Sequence, residues 1–188
     1  RYEGLIQTTP GGAWSAGGSL SRTVNLGVRG IAGTGTKNAA IAAGGRSSGL
    51  TEEYNGSSWS EGNDLIVARQ KAQMTGTTEA GILFGGTTDH QVSNAKTCTE
   101  EWNGTSWSEV NDLPNAVCSH MKLGITSEAA LSIGGEGPGA DSDVEDWNGT
   151  NWSNGTDLPA NQAYGTSAGT YDSGIVMGWL GSETYCWN

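Results

Sequence analysis

Histidine, cysteine, proline and cationic residues are all scarce in this chain, and each scarcity removes a class of function. The two histidines, His90 and His120, stand at non-equivalent positions and neither lies in an HExxH or similar spacing. A histidine-built metal or catalytic centre is therefore not expected. The three cysteines, Cys98, Cys118 and Cys186, include no CxxC, and an odd count argues against a disulfide framework. Cys98 and Cys118 are the pair best placed to bridge, but the preferred reading is cysteine as a small buried apolar residue. Nine Lys and Arg face twenty Asp and Glu, a net charge of -11. Such a surface repels a phosphate backbone, which excludes nucleic acid as a partner. No apolar run approaches about 18 residues, so no membrane span is expected, nor is a retained signal peptide visible. There is no GxSxG elbow, and the glycine-rich stretches lead into strands rather than helices, which excludes a P-loop.

What the chain has in quantity is glycine, 31 of 188 residues, with a surplus of Ser, Thr and Asn. Tight turns and short apolar segments point to an all-β chain, and the length suits one domain, residues 1–188. The stretch TEEYNGSSWSE at 51–61 returns as TEEWNGTSWSE at 99–109 and VEDWNGTNWSN at 144–154. Aligned on its second aromatic, the chain shows Trp14, Trp59, Trp107 and Trp152, with steps of 45, 48 and 45. A second landmark gives the same count: Gly44-Gly45, Gly85-Gly86, Gly134-Gly135 and the degenerate Gly178-Trp179. Two landmarks agree on four units, about 17–61, 62–109, 110–154 and 155–188 with 1–16, at the stride of a four-stranded propeller blade.

Each unit predicts four strands. A turn such as NDLP at 111–114 leads into a small-residue strand, for instance VNLGVRGIAG or QAYGTSAG. An apolar run follows (AAIAAGG, AGILFGG, AALSIGG or SGIVMGW), too short for a helix and apolar on both faces. The recurring motif supplies the last two strands, with its Asn-Gly expected to form a tight type I′ turn. Its aromatic pair is expected to pack from one blade onto the next.

A diglycine after an apolar strand, then an acidic-aromatic pair (Glu53-Tyr54, Glu101-Trp102, Asp146-Trp147), then a tryptophan resembles the kelch repeat over nearly the whole chain. The wording WNGTSW and GIAGTGTKNAAIAAGG is also similar to kelch-like repeats in structural proteins of marine bacteriophages. The resemblance implies a kelch-like β-propeller of about four blades of four antiparallel strands. ETYCWN at 183–188 corresponds to the third strand of a unit and GGAWSAGGSL at 11–20 to the fourth, so the last blade is expected to close from both chain ends. Arg1-Tyr2-Glu3-Gly4 is a spare copy of the EYNG segment that could instead add to a neighbouring sheet edge.

Some kelch-like propellers are copper oxidases, but Tyr185-Cys186 beside a lone histidine does not meet that ligand set, and neither enzyme activity nor a cofactor is expected. The alternating carboxylates from Asp141 and Asp143 to Asp146 could ligate calcium, although a solvated loop is the favoured reading. Five sequons, Asn55, Asn103, Asn148, Asn151 and Asn154, could carry glycans, but three of them coincide with the Asn-Gly turn. Binding residues are sought on the two loops that differ between units, 87–96 and 136–143, and at the aromatic that breaks the pattern. The candidates are His90, Asp141, Asp143 and Trp179. The expected role is a structural or adhesion module of a virion or extracellular assembly, contacting neighbouring subunits or virion proteins. The alternative is a lectin-like propeller that binds surface glycans.

Overall fold

The computed structural model describes residues 16–21, 29–46, 48–138, 141–178 and 183–188. Their strands form four antiparallel sheets arranged as a four-bladed β-propeller. Blade 1 holds β1 (Ala32–Gly35), β2 (Ala40–Ala43), β3 (Thr51–Tyr54) and β4 (Trp59–Glu61). Blade 2 holds β5 (Gln73–Gly76), β6 (Gly81–Phe84), β7 (Thr99–Trp102) and β8 (Trp107–Glu109). Blade 3 holds β9 (Met121–Leu123), β10 (Ala130–Ile133), β11 (Val144–Trp147) and β12 (Trp152–Asn154). Blade 4 contributes β13 (Thr166–Gly169), β14 (Gly174–Met177) and β15 (Thr184–Trp187). The fourth strand expected there, around Trp14, lies outside the described residues, as does the Arg1–Gly4 copy.

Each blade is a meander that runs from the propeller axis outward. The second strand is apolar on both faces because it is covered on both: Gly81–Phe84 and Ala130–Ile133 are buried throughout. The small-residue first strands are shorter than expected. β1 begins only at Ala32 and β13 only at Thr166, while residues 29–31 and 162–165 wrap around the axis instead. The core lies between blades rather than inside them. Ile41, Met74, Leu83, Trp102 and Trp107 fill the first interface. Ile82, Phe84, Leu113, Trp147 and Trp152 fill the second, and Met121, Leu123, Ile133, Val144 and Val176 the third.

The Asn-Gly turn differs from its expectation. Tyr54 pairs with Trp59, Trp102 with Trp107 and Trp147 with Trp152, so each hairpin has a four-residue loop. Only the glycines Gly56, Gly104 and Gly149 have positive φ, whereas a type I′ turn needs it at both central residues. The asparagine acts through its side chain: Asn103 Oδ1 accepts from the backbone N–H groups of Thr105 and Ser106 at 3.0 and 2.9 Å. Asn55 and Asn148 do the same, competing with regular backbone pairing as short polar side chains do.

The aromatic pairs meet across their hairpins with ring centroids 5.1, 5.2 and 5.3 Å apart, in tilted geometry. They also join blades. Trp107 Nε1 donates to Thr51 Oγ1 and Trp152 Nε1 to Thr99 Oγ1, each at 2.9 Å. The diglycines serve the same junctions. The N–H groups of Gly45, Gly86 and Gly135 donate to the carbonyls of Arg69, Val117 and Gln162 on the next blade's approach. Gly85 sits at φ +64, and a Cβ there would come within 2.8 Å of the Val117 carbonyl. Gly85→Ala should therefore cost about 2–3 kcal/mol, from the left-handed backbone and the crowding together, as read in a urea melt.

Cys98, Cys118 and Cys186 are all free thiols, and burial raises the pKa of the first two. The Cys98–Cys118 bridge does not form.

Candidate functional site at the axial mouth

Four residues in the same repeat position encircle one end of the axis: Gly30, Lys71, Ser119 and Tyr164. Each lies in the left-handed region, at φ 66, 57, 56 and 53. For the three with a Cβ this conformation is costly, and a backbone relay holds it in place. Lys71 N–H donates to the Gly30 carbonyl, Ser119 N–H to that of Lys71, and Tyr164 N–H to that of Ser119, at 2.8, 3.1 and 3.0 Å. The positions are thus fixed by main chain, which leaves the side chains free to differ.

They differ as far as side chains can. Lys71 of blade 2 reaches across the axis to Tyr164 of blade 4, with Nζ 3.5 Å from the phenolic oxygen and 5.4 Å from the ring centroid. Tyr164 is 48% exposed, against 1% and 2% for Trp102 and Trp147. A cavity of about 290 Å³ opens beneath them, lined by Gly30, Lys71, Gln73, Ser119, His120 and Tyr164 among others. A neighbouring cavity of about 150 Å³ includes Glu136, Asp141, Asn161, Gln162 and Tyr164. Among the described residues, Glu136 Oε2 is buried with no hydrogen-bond partner, and Gln162 Oε1 is buried without one against Gly178. Chemically the mouth offers an aromatic face, one ammonium and several amide or carboxylate acceptors.

Described residues of both variable loops stand at this same end. Thr87 bridges Gln70, next to Lys71, and places the 87–96 loop beside the mouth. His90 is exposed, with Nδ1 3.4 Å from Gln70 Nε2. Its neighbour Asp89 is held below the usual carboxylate range by the N–H of Gln91 and by Asn94. Asp141 stands in the smaller cavity, 3.4 Å from Asn161. Asp143 instead accepts from Asn115 at 2.9 Å in the linker between blades 2 and 3, and burial with the charges of Asp157 and Asp141 raises its pKa. The structure thus brings His90 and Asp141 to one face and turns Asp143 away from it. Trp179 lies outside the described residues.

No protein family and no curated protein matches the chain. Among solved structures, YjhT superposes with a TM-score of 0.65 at 11% identity, over 80% of this chain and 58% of that one. The fold is similar to that of YjhT. At that identity the likeness to YjhT carries the propeller architecture and no chemistry, and the chain spans about 58% of the length of YjhT.

Lys71 and Tyr164 were not singled out by sequence, and neither was Lys122, whose ammonium is held below its ordinary range by burial in a cavity shared with Thr34, Trp59 and Ile125. The signal was present in the repeat alignment. A position that reads Gly, Lys, Ser and Tyr in four otherwise similar units is where the scaffold does not dictate the residue.

Proposed function

We propose that the chain is a non-enzymatic, kelch-like propeller serving as a structural or adhesion module of a virion or extracellular assembly, of the kind used as a phage decoration, fibre or adhesin. One observation supports this above others: the repeated polar and aromatic groups are spent on joining blades, while blade-to-blade variation collects at the axial mouth and its two loops. Asn63 and Asn111 tie their linkers to the next blade's outer turn at Thr105 and Thr150. Thr34 and Thr75 tie inner strands to the carbonyls of Gly76 and Thr126 on the next blade. A stiff scaffold with one variable face suits contact with neighbouring subunits.

The exposed Tyr164 beside Lys71 favours a second reading, a lectin-like site in which a sugar stacks on the phenol ring and hydrogen-bonds to Gln73 or Asn161. A glycan array with the parent and Tyr164→Ala separates the two. The assembly module gives no saturable sugar binding and sediments as a discrete assembly with itself or its neighbours. The lectin gives saturable binding to a defined sugar that falls at least tenfold in Tyr164→Ala.

A further inference from the structure

The axial mouth carries opposite charges on opposite blades. Arg46 and Glu136 hold the same repeat position, directly after the diglycine. Arg46 N–H donates to the Arg29 carbonyl at 2.9 Å, and Glu136 N–H to the Cys118 carbonyl at 2.8 Å. Blades 1 and 3 stand across the axis from each other, so the two side chains belong to opposite sides of one opening. On the blade 1 side Arg29 precedes Gly30, and Gly30 accepts from Lys71, which gathers three of the chain's nine cationic residues. On the blade 3 side Glu136 and Asp141 line the smaller cavity. In a chain of net charge -11, random placement would surround each cation with carboxylates. Here the two signs are sorted.

Tyr164 stands between the two sides, because it lines both the cavity of about 290 Å³ and that of about 150 Å³. Lys71 Nζ, 5.4 Å from the centroid of its ring, holds a positive charge on the side of the larger one. That cavity is also lined by His120, which is 1% exposed and has no hydrogen-bond partner on either ring nitrogen among the described residues. The repeat equivalents of His120 are Ile31, Ala72 and Gly165, which carry no polar side-chain atom. The scaffold therefore does not call for an imidazole at this position. A ring buried without a partner costs stability, and an oxygen bound in the cavity would recover it.

We propose that the axial mouth binds a small zwitterion, with a phosphate monoester on the side of Arg29, Arg46 and Lys71 and a primary ammonium on the side of Glu136 and Asp141. Guanidinium and ammonium groups hold phosphate through short charge-assisted hydrogen bonds, and three cations match its charge of nearly two. The His120 N–H adds a donor to a phosphate oxygen. The ammonium meets two carboxylates and the open part of the Tyr164 ring, whose face attracts cations. Neither half suffices alone: a lone anion is repelled by Glu136 and Asp141, and a lone cation by the basic side. Because Tyr164 separates the two cavities, the charges of the ligand sit several bonds apart, which sets it off from an α-amino acid. The assignment rests on neither reading of the function above.

Isothermal titration with phosphoethanolamine tests this against its two halves, ethyl phosphate and ethylammonium, at equal ionic strength. Phosphoethanolamine should bind saturably and about tenfold or more tighter than either half, the worth of one charge-assisted hydrogen bond. β-Alanine, with a singly charged carboxylate for the phosphate, should bind more weakly. Lys71→Met should lower the phosphoethanolamine affinity about tenfold. Asp141→Asn should weaken phosphoethanolamine but leave ethyl phosphate no weaker, which a merely structural role would not produce. Both positions lie outside the core clusters, and a near-ultraviolet dichroism spectrum matching the parent verifies the fold. Absence of saturable phosphoethanolamine binding would overturn the proposal. So would equal affinity for ethyl phosphate, which reduces the mouth to an anion site, or β-alanine binding as tightly as phosphoethanolamine. Silence on a glycan array leaves the result untouched, since the probe carries no sugar.

Discussion

Arg69→Met is expected to lower the unfolding free energy by about 3–5 kcal/mol, the range for breaking one half of a buried ion pair. Arg69 and Glu100 are both 0% exposed, and their side chains meet directly. Glu100 also accepts from the N–H groups of Ile66 and Val67 at 2.7 and 3.1 Å, and the guanidinium donates to the carbonyls of Val67 and Leu83 at 3.3 and 3.2 Å. The pair thereby pins the linker entering blade 2 to that blade's own second and third strands. Removing the guanidinium leaves a buried carboxylate with only two backbone donors, too few to replace its lost hydration. The double variant Arg69→Met/Glu100→Gln should recover much of the loss, because no charge is then stranded. Urea melts of the single and double variants decide the matter. A loss below about 1 kcal/mol in Arg69→Met would mean that water reaches the site and that the pair contributes little.

The same glutamate recurs in blades 1 and 3 and again meets the entering linker. Glu52 accepts from the N–H and hydroxyl of Ser21, and Glu145 from the N–H of Asn115 at 2.9 Å. The repeat therefore uses an acceptor that reaches the entering linker, and in blade 2 Arg69 adds a cation to it. Sequence reading treated the acidic-aromatic pair as a family mark. It could not tell that the first carboxylate of TEEY and TEEW is buried and the second half-exposed, because that depends on which face each neighbouring blade covers.

The blade count and the four-strand order were legible because they rest on period and pattern, which a repeat prints several times over. The aromatic hairpin was legible for the same reason. Its turn type was misread because Asn-Gly has two uses, as a pair of left-handed residues or as a side-chain cap beside one left-handed glycine, and the dipeptide does not distinguish them. The axial mouth was hidden for another reason. Lys71 and Tyr164 are 93 residues apart and meet only because opposite blades face each other across the axis. His90 and Asp141 stand on loops whose variation is visible in one dimension.

Glu145 and His120 should give this protein two opposed pH dependences that partly cancel. Burial pushes the Glu145 carboxyl from 4.5 up to about 7, against the pull of the Asn115 N–H and with help from the Asp143 charge. The folded chain then holds that proton more tightly than the unfolded chain. The corresponding stability is complete below about pH 4.5 and is lost as pH rises to 7. His120 is buried against Phe84, and among the described residues neither ring nitrogen has a partner. Burial pushes it from 6.5 down to about 3, so the unfolded chain takes up the proton first. Its stability is intact above about pH 6.5 and is lost as pH falls toward 3. With each pKa unit worth about 1.4 kcal/mol, the limits are about 3 kcal/mol for Glu145 and about 5 for His120. Glu145→Gln should therefore gain on the parent by up to about 3 kcal/mol at pH 8 and lose that gain below pH 4.5. His120→Leu should gain on the parent only below pH 6.5, increasingly toward pH 3. Denaturant melts of both variants and the parent between pH 3 and 8 give the two difference curves, in which the other carboxylates drop out. Parallel curves, or a Glu145→Gln difference that does not change with pH, would mean that Glu145 is as well solvated in the propeller as in the open chain. Curves diverging at opposite ends of the range would locate one acid and one base, each held neutral near pH 6 by the blades on either side of it.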